Sequence, residues 1–132
     1  MSRRRNMFRN DRGQTMVEFA LVVPILCVVL FGILQFGALY NDYVTLTDAT
    51  RVGARTAATS RHLADPAGAA ATAARNAAKG LTPAKLTVTV TATAWEHGET
   101  VTVKGTYPYK VDLLGLVVAS GNLKSETTER VE

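Results

Sequence analysis

The fold is decided by the segment FALVVPILCVVLFGILQFGALYN, residues 19–41, in which 23 consecutive positions carry no charge. About 20 apolar residues are what a helix needs to cross the hydrocarbon core of a bilayer. The alternative is a buried helix of a water-soluble domain. A chain of 132 residues has too little material to surround a helix that is apolar on every face. We therefore predict a transmembrane helix over residues 14–40.

The distribution of charge orients this helix. The formal charge is +4, and residues 1–13 carry all of it, because they hold five arginines and one aspartate while the other 119 residues hold ten basic and ten acidic side chains. Basic flanks stay in the cytoplasm, which predicts a single-pass protein of the cytoplasmic (inner) membrane with its C-terminal part outside. A cleaved secretory signal peptide is the competing interpretation, but its apolar region is normally about 7–15 residues and ends in a small-x-small cleavage site. Because the body is neutral, no nucleic acid is expected as a partner.

The junction between the basic residues and the apolar segment carries the most specific pattern. Thr15 followed by Glu18 fits a capping box, with the threonine as the N-cap of the helix. Gly13 then gives a flexible peptide bond just outside the helix, where a protease can bind an extended chain. A cut after Gly13 would give Gln14 a cationic α-amine, and Glu18, one turn away, would pair with it in the same chain or in a neighbouring one. Such a pair would set the register of helices that stack side by side.

The combination of a basic leader, a glycine, a glutamate at the fifth position after it, and a long apolar run resembles a type IV prepilin. The wider stretches 13–24 and 31–37 are similar to the TadE-like minor pilins, or pseudopilins, of tight-adherence (Tad) pili. So is the stretch 49–55, although Thr50 stands where that family's element has alanine. The resemblance is strong over the first half of the chain and rests on the strand-rich pattern and the chain end in the second half.

This resemblance implies a function and a set of site residues. Residues 1–13 would be a leader removed by a prepilin peptidase between Gly13 and Gln14, and Gln14 would then be N-methylated. Glu18 and Phe19 would serve assembly and registration of the subunits. Pro24 removes an amide donor and should kink or loosen the helix, which in pilins helps packing in the filament. The implied partners are the prepilin peptidase, other pilin or pseudopilin subunits, the assembly platform and membrane lipid. The implied role is adhesion and surface attachment.

Beyond the membrane segment, residues 41–62 are predicted to continue the helix as an amphipathic half, so that it runs from about Thr15 to about Ser60. Ala49, Gly53 and Ala57 form a stripe of small residues that would admit another backbone, and Val44 and Val52 are expected to widen that face. The resemblance gives structural importance, and no chemistry, to the motif residues Arg51, Gly53 and Arg55. From the residues alone, the two arginines are expected to be solvated or locally paired.

Residues 63–132 are predicted to form an exported α+β head. Asp65 and Pro66 begin a second helix as N-cap and first residue, with Gly80 as its C-terminal cap. From Lys85 the alternation of apolar residues and threonines predicts a strand, a turn at 96–99 and a returning strand that weakens at Pro108. Because a lone hairpin is marginal, a third strand is expected from residues 122–132. The fold class is α+β: a long N-terminal helix that carries a small antiparallel sheet, as in pilins.

No catalytic pattern is recognisable, so the chain is not expected to be an enzyme and no cofactor, metal or small-molecule substrate is expected. One cysteine and two histidines make a zinc site very improbable, and Cys27 is interpreted as a small apolar filler. His62 and His97 fall in different predicted elements. The alternative to a pilin is an uncleaved, signal-anchored binding module or adhesin of the cell envelope.

Overall fold

The computed structural model describes residues 11–113 and 115–132. The first ten residues of the predicted leader therefore lie outside the described residues. The elements are helix α1 (Asp11–Thr59), helix α2 (Pro66–Ala77), a 3₁₀ turn (Pro83–Lys85) and strands β1 (Thr87–Ala92), β2 (Thr100–Leu113) and β3 (Leu116–Arg130). The predicted α+β class, with one long N-terminal helix and a small antiparallel sheet, is confirmed.

Helix α1 has 49 residues, which corresponds to a length of about 74 Å at 1.5 Å per residue. Its C-terminal end at Thr59 agrees with the prediction to one residue. Its start does not agree: the described part of the helix already includes Asp11, so Thr15 lies inside it, and the predicted N-cap role of Thr15 is wrong. Gly13 also lies inside the helix rather than just outside it.

The C-terminal part of α1 is buried along one face. Its buried residues recur at intervals of three and four, the spacing that places side chains on one side of a helix, and they are Leu46, Ala49, Thr50, Gly53, Ala54, Ala57 and Ala58. Val44 and Val52 lie off this face and are 40% and 43% exposed, so the expectation that they widen it is wrong.

Helix α2 and the sheet cover this face. The Asp65 side chain accepts a hydrogen bond of 2.9 Å from the Gly68 amide, which confirms the predicted N-cap. The C-cap is Ala78, whose amide bonds to carbonyls of the last turn, so Gly80 is not the cap. Gly80 instead takes φ +99 in the turn that follows, a backbone conformation that favours glycine.

The sheet has the order β1-β2-β3 and both pairings are antiparallel. Pairing with β1 ends at Thr106, so at Pro108 β2 has a neighbour only on the β3 side, and the missing amide donor does not interrupt the strand. β2 consequently continues to Leu113. The expected third strand exists but begins at Leu116, six residues before its predicted start.

Two clusters of buried residues form the core between helices and sheet. One lies nearer the membrane segment and contains Leu46, Ala49, Ala78, Leu81, Leu86 and Tyr107. The other lies at the far end and contains Ala57, Ala70, Val101 and Val131, with Trp95 packed against it. The chain end is held there by backbone hydrogen bonds: the Val131 amide donates to Glu99 over 2.8 Å, and the Glu132 amide donates to Ala58 over 2.9 Å.

Candidate assembly site on the long helix

The first candidate site is the N-terminal turn of α1. The side-chain amide of Gln14 donates a hydrogen bond of 3.1 Å from its Nε2 atom to Oε1 of Glu18, one helical turn later. Among the described residues, a methyl group placed on Gly13 would meet no atom within 4 Å. The two residues predicted to form a charge pair after cleavage are therefore already neighbours in the uncut chain, joined by a hydrogen bond whose donor is the uncharged Gln14 amide.

The position of this turn inside a helix affects its chemistry. Residues 11–14 are helical, so a protease that binds an extended chain at Gly13 has to unwind the helix there. Negative charge is favoured in the first turn of a helix because of the helix dipole. In the uncut chain Glu18 lies beyond that turn, whereas after removal of residues 1–13 it would lie close to the new N-terminus.

The second feature is the bare surface of the membrane segment. The most apolar window of α1 has a mean hydropathy of 2.8 and none of it is buried. Large side chains project on all sides, for example Phe19 at 69% exposure and Ile25 at 67%. The helix is long and apolar enough to cross a membrane. A surface of this kind needs lipid or the equivalent surfaces of neighbouring helices around it.

Pro24 lies inside α1 and does not end it. Because proline has no amide hydrogen, the carbonyl of Ala20 lacks its usual partner four residues later. The expected kink or loosening at this residue stays a prediction.

The third feature is the motif at residues 51–55, which the structure places at the joint between helix and head. Gly53 is buried against α2 and β2. A Cβ atom at this residue would lie 2.9 Å from Cβ of Ala74, 3.2 Å from the carbonyl oxygen of Ala70 and 3.3 Å from Cγ1 of Val103. The small-residue stripe therefore admits another backbone, as predicted, and that backbone is α2 of the same chain.

The two arginines of the motif point away from this joint. Arg51 is exposed and forms an ion pair of 3.4 Å with Asp48. Arg55 is also exposed, at an open cleft of about 290 Å³ whose walls include Glu129, Arg130 and Glu132. The expectation of solvated or locally paired arginines is confirmed for both residues.

Thr50, which stands where the family element has alanine, forms several hydrogen bonds in the structure. Its hydroxyl, 1% exposed as a residue, donates to the Thr47 carbonyl over 2.8 Å. It also lies 3.0 Å from the hydroxyl of Ser125 and 3.1 Å from that of Thr127, both on β3. A hydroxyl has one proton, so with Thr50 donating to Thr47, the two β3 hydroxyls donate to Thr50.

A contact that the sequence gave no means of finding joins the head to the membrane segment. Nε2 of Gln35 donates a hydrogen bond of 2.9 Å to the backbone carbonyl of Asp112 near the end of β2. The partner of Gln35 therefore belongs to the chain's own sheet, 77 residues away in sequence.

The described residues contain no group of three or more His, Cys, Asp or Glu side chains that could hold a metal ion. A cleft of about 660 Å³ lies between α1 and the far part of the β2–β3 pair, and its lining includes Gln35, Asp42, Lys85 and Tyr109. This cleft is open to solvent.

The comparisons with known proteins agree with this description. A family model described as TadE-like protein matches residues 13–55, which are 43 of the 132 residues. The expected resemblance to TadE-like proteins is thereby confirmed for this segment. No curated protein matches the chain. No solved structure matches it either.

Proposed function

We propose that this TadE-like chain is the precursor of a minor pilin or pseudopilin that is used in assembling a Tad-type pilus. The observation that carries the proposal is the extent of the family match, which begins at Gly13 and continues through the membrane segment to Arg55. The matched segment thus starts at the residue before the proposed cleavage site. It includes the Glu18 carboxylate, the bare apolar surface and the joint at Gly53.

In this proposal a prepilin peptidase cuts between Gly13 and Gln14, and the new α-amine of Gln14 is N-methylated. Processing removes the whole excess positive charge of the chain, since residues 1–13 carry it. That charge holds the N-terminus in the cytoplasm and the head outside the inner membrane. Its loss lowers the cost of moving the helix from lipid into a bundle of like helices, with other pilin subunits and the assembly platform as partners.

Glu18 then acts as the registration residue, with Phe19 beside it. The hydrogen bond from Gln14 to Glu18 supports this role, because it brings the carboxylate back toward the residue that would become N-terminal. The bond from the Gln14 amide has a charged acceptor only, whereas a bond from the new ammonium group to the carboxylate would have a charged donor as well. Cleavage therefore strengthens the partnership that the uncut chain already has, either within one subunit or between two neighbours.

The competing function is an uncleaved, membrane-anchored binding module of the envelope. The observation that favours it is the position of Gly13 inside α1, since an anchor that is never cut has no need of an extended site. The two functions differ in the fate of residues 1–13, which gives a direct experiment.

We would express the full chain together with the prepilin peptidase of the same host and determine the N-terminus by intact-mass and peptide mass spectrometry. A pilin precursor should begin at Gln14 and carry one added methyl group, and replacing Gly13 with a bulky residue should stop the cut. Gly37→Ala is the matched control, because Gly37 is another unobstructed glycine of α1. A mature chain that still contains residues 1–13 would refute the proposed processing.

A second pair of variants separates cleavage from assembly. Glu18→Ala should still be cut but should enter pili poorly, whereas Glu96→Ala, at an exposed turn of the head, should leave both steps unchanged. Normal piliation by Glu18→Ala would contradict the registration role and leave the processing result standing.

A further inference from the structure

The turn between β2 and β3 presents large apolar side chains to its surroundings. Leu116, Val117 and Val118 are 74%, 58% and 63% exposed, and Leu113 is half-buried beside them. The sequence has no charged residue between Asp112 and Lys124. We call Leu113, Leu116, Val117 and Val118 the apolar tip. A water-exposed hairpin end is ordinarily polar, so this composition needs a reason.

The location of the apolar tip gives a reason for its apolar composition. β2 runs antiparallel to α1, from Val101, which packs with Ala57, to Asp112, whose carbonyl is bound by Gln35. Gln35 lies within the uncharged segment 19–41. The hairpin therefore extends along the helix, past the amphipathic half, until its end stands beside the segment that is long and apolar enough to span a membrane.

We propose that the apolar tip is a second membrane contact of this protein, seated in the interface of the leaflet on the side of the head, next to α1. The occupant of the exposed apolar surface is lipid. A bilayer that surrounds the uncharged segment reaches the level of Gln35, and the hydrogen bond of 2.9 Å to Asp112 keeps the tip at that level. The inference rests on membrane anchoring by α1 and not on cleavage or on a role in pili.

The polar and aromatic residues around the tip fit a shallow position. Lys110 and Asp112 are exposed and are the last charged residues of β2 before the tip, which places them at the level of the headgroups. Tyr40 and Tyr43, exposed on the next turns of α1, have the character of interfacial aromatic residues. Residues 19–35 then span about 25 Å at 1.5 Å per residue, within the lower range for a transmembrane helix. The tip reaches about 5–10 Å into the boundary, as interfacial apolar elements do.

The consequence is that the head has a fixed orientation on the membrane. The head is packed on α1, so with one anchor the tilt of the whole molecule in the bilayer is free, whereas a second contact on the same bilayer restricts that tilt. The tip must also leave the lipid whenever α1 does, so extraction of the helix and release of the head surface become a single event.

The experiment measures the depth of single labelled cysteines in the full chain reconstituted in phosphatidylcholine–phosphatidylglycerol vesicles. Val117→Cys is made in a Cys27→Ser background and labelled with an environment-sensitive fluorophore. Glu96→Cys in the same background marks the opposite, solvent-exposed end of the sheet. The native Cys27, exposed on the membrane segment, marks the hydrocarbon. Trp95 fluorescence verifies that the head of each variant is folded.

We expect the label at residue 117 to be quenched by nitroxide lipids, as at residue 27. Its quenching by aqueous iodide should be several-fold weaker than at residue 96. Equal iodide quenching at residues 117 and 96 would overturn the proposal, because the tip would then lie in water. Protection that disappears when the protein is diluted in lipid would also overturn it, because a second copy would then be the occupant. If the label at residue 27 escapes nitroxide quenching, α1 is not in the bilayer and the proposal fails with its premise.

Discussion

The close approach at Gly53 gives the sharpest test of how the head is fixed to the helix. In Gly53→Ala the new methyl group would lie 2.9 Å from Cβ of Ala74 and 3.2 Å from the carbonyl oxygen of Ala70. Neither neighbour can rotate away, since one is the first atom of a short side chain and the other is backbone. Helix α2 would have to move away from α1 as a unit.

The expected magnitude follows from two opposing effects. Alanine is favoured over glycine inside a helix by about 1 kcal/mol. Overpacking of a tight core contact costs about 1–3 kcal/mol. The net loss for Gly53→Ala is therefore about 0–2 kcal/mol by these two terms, a range too wide to be decisive on its own.

A double-mutant cycle with Ala74→Gly isolates the contact. Ala74→Gly removes the methyl group that Gly53→Ala would meet, at a cost of about 2 kcal/mol from helix propensity and lost burial. In the double variant the two methyl groups have in effect exchanged helices, so it should be more stable than the sum of the single changes by about 1 kcal/mol or more. Gly37→Ala, at an open position of α1, is the control and should be additive with Ala74→Gly.

The assay is urea unfolding of the full chain in detergent micelles, followed by the fluorescence of Trp95. This is the single tryptophan of the chain, and it packs against the cluster that contains Ala57 and Ala70, so it reports unfolding of the head. Additivity of Gly53→Ala and Ala74→Gly within about 0.3 kcal/mol would refute the reasoning, because residues in contact should not behave as independent sites.

Three further outcomes are expected in the same assay. Thr50→Val should destabilise the head by about 0.5–1.5 kcal/mol, because the variant keeps the shape but removes the hydrogen bonds to two half-buried hydroxyls of β3; an unchanged midpoint would contradict this. Asp65→Ala should cost about 1 kcal/mol through loss of the N-cap, and Asp65→Asn should restore most of it; equal losses would exclude capping as the cause. The exposed pair of Lys104 and Glu126, 3.1 Å apart, should contribute less than about 1 kcal/mol, so a larger loss in Glu126→Ala would show a coupling that the structure does not contain.

Local signals in the sequence predicted most of the elements. The uncharged run, the Asp-Pro helix start and the alternation of threonine with valine each depend on residues close together in the chain, and each gave an element at about the expected place. The start of α1 was misplaced for the same reason: Thr15 and Glu18 satisfy the capping pattern, but nothing in the pattern prevents the helix from beginning at Asp11. A capping box shows where a helix can begin, and residues before it decide whether it does.

The errors in the sheet come from contacts between distant residues. Pro108 was expected to weaken the strand because proline has no amide hydrogen to donate to a neighbouring strand. The effect of Pro108 depends on whether β1 pairs with β2 at that residue. The pairing of the two strands ends at Thr87 and Thr106, before Pro108 is reached. The bond between Gln35 and Asp112 joins residues 77 apart, so no local pattern could reveal it. Similarly, two of the hydrogen-bond partners of Thr50 are hydroxyl groups of β3, which is distant in sequence.

The two halves of α1 differ in what covers them, and this difference constrains how the protein can assemble. The outer half is covered by its own head, with Leu46, Ala54 and Ala57 fully buried, so it offers little new apolar surface to another subunit. The inner half is covered by nothing in the described chain. Exchanging lipid for a neighbouring helix gains little hydrophobic free energy, because lipid tails are as apolar as leucine. Association of the inner halves must therefore be directed by shape and by polar groups.

Glu18 is an acidic side chain at the margin of that apolar surface, so changing it should alter the register of assembled helices more than their residence in the membrane. The same preparation measures both, by vesicle flotation and by crosslinking between subunits. Loss of flotation without a change in crosslinking would show that Glu18 affects membrane residence and not register, which contradicts the argument.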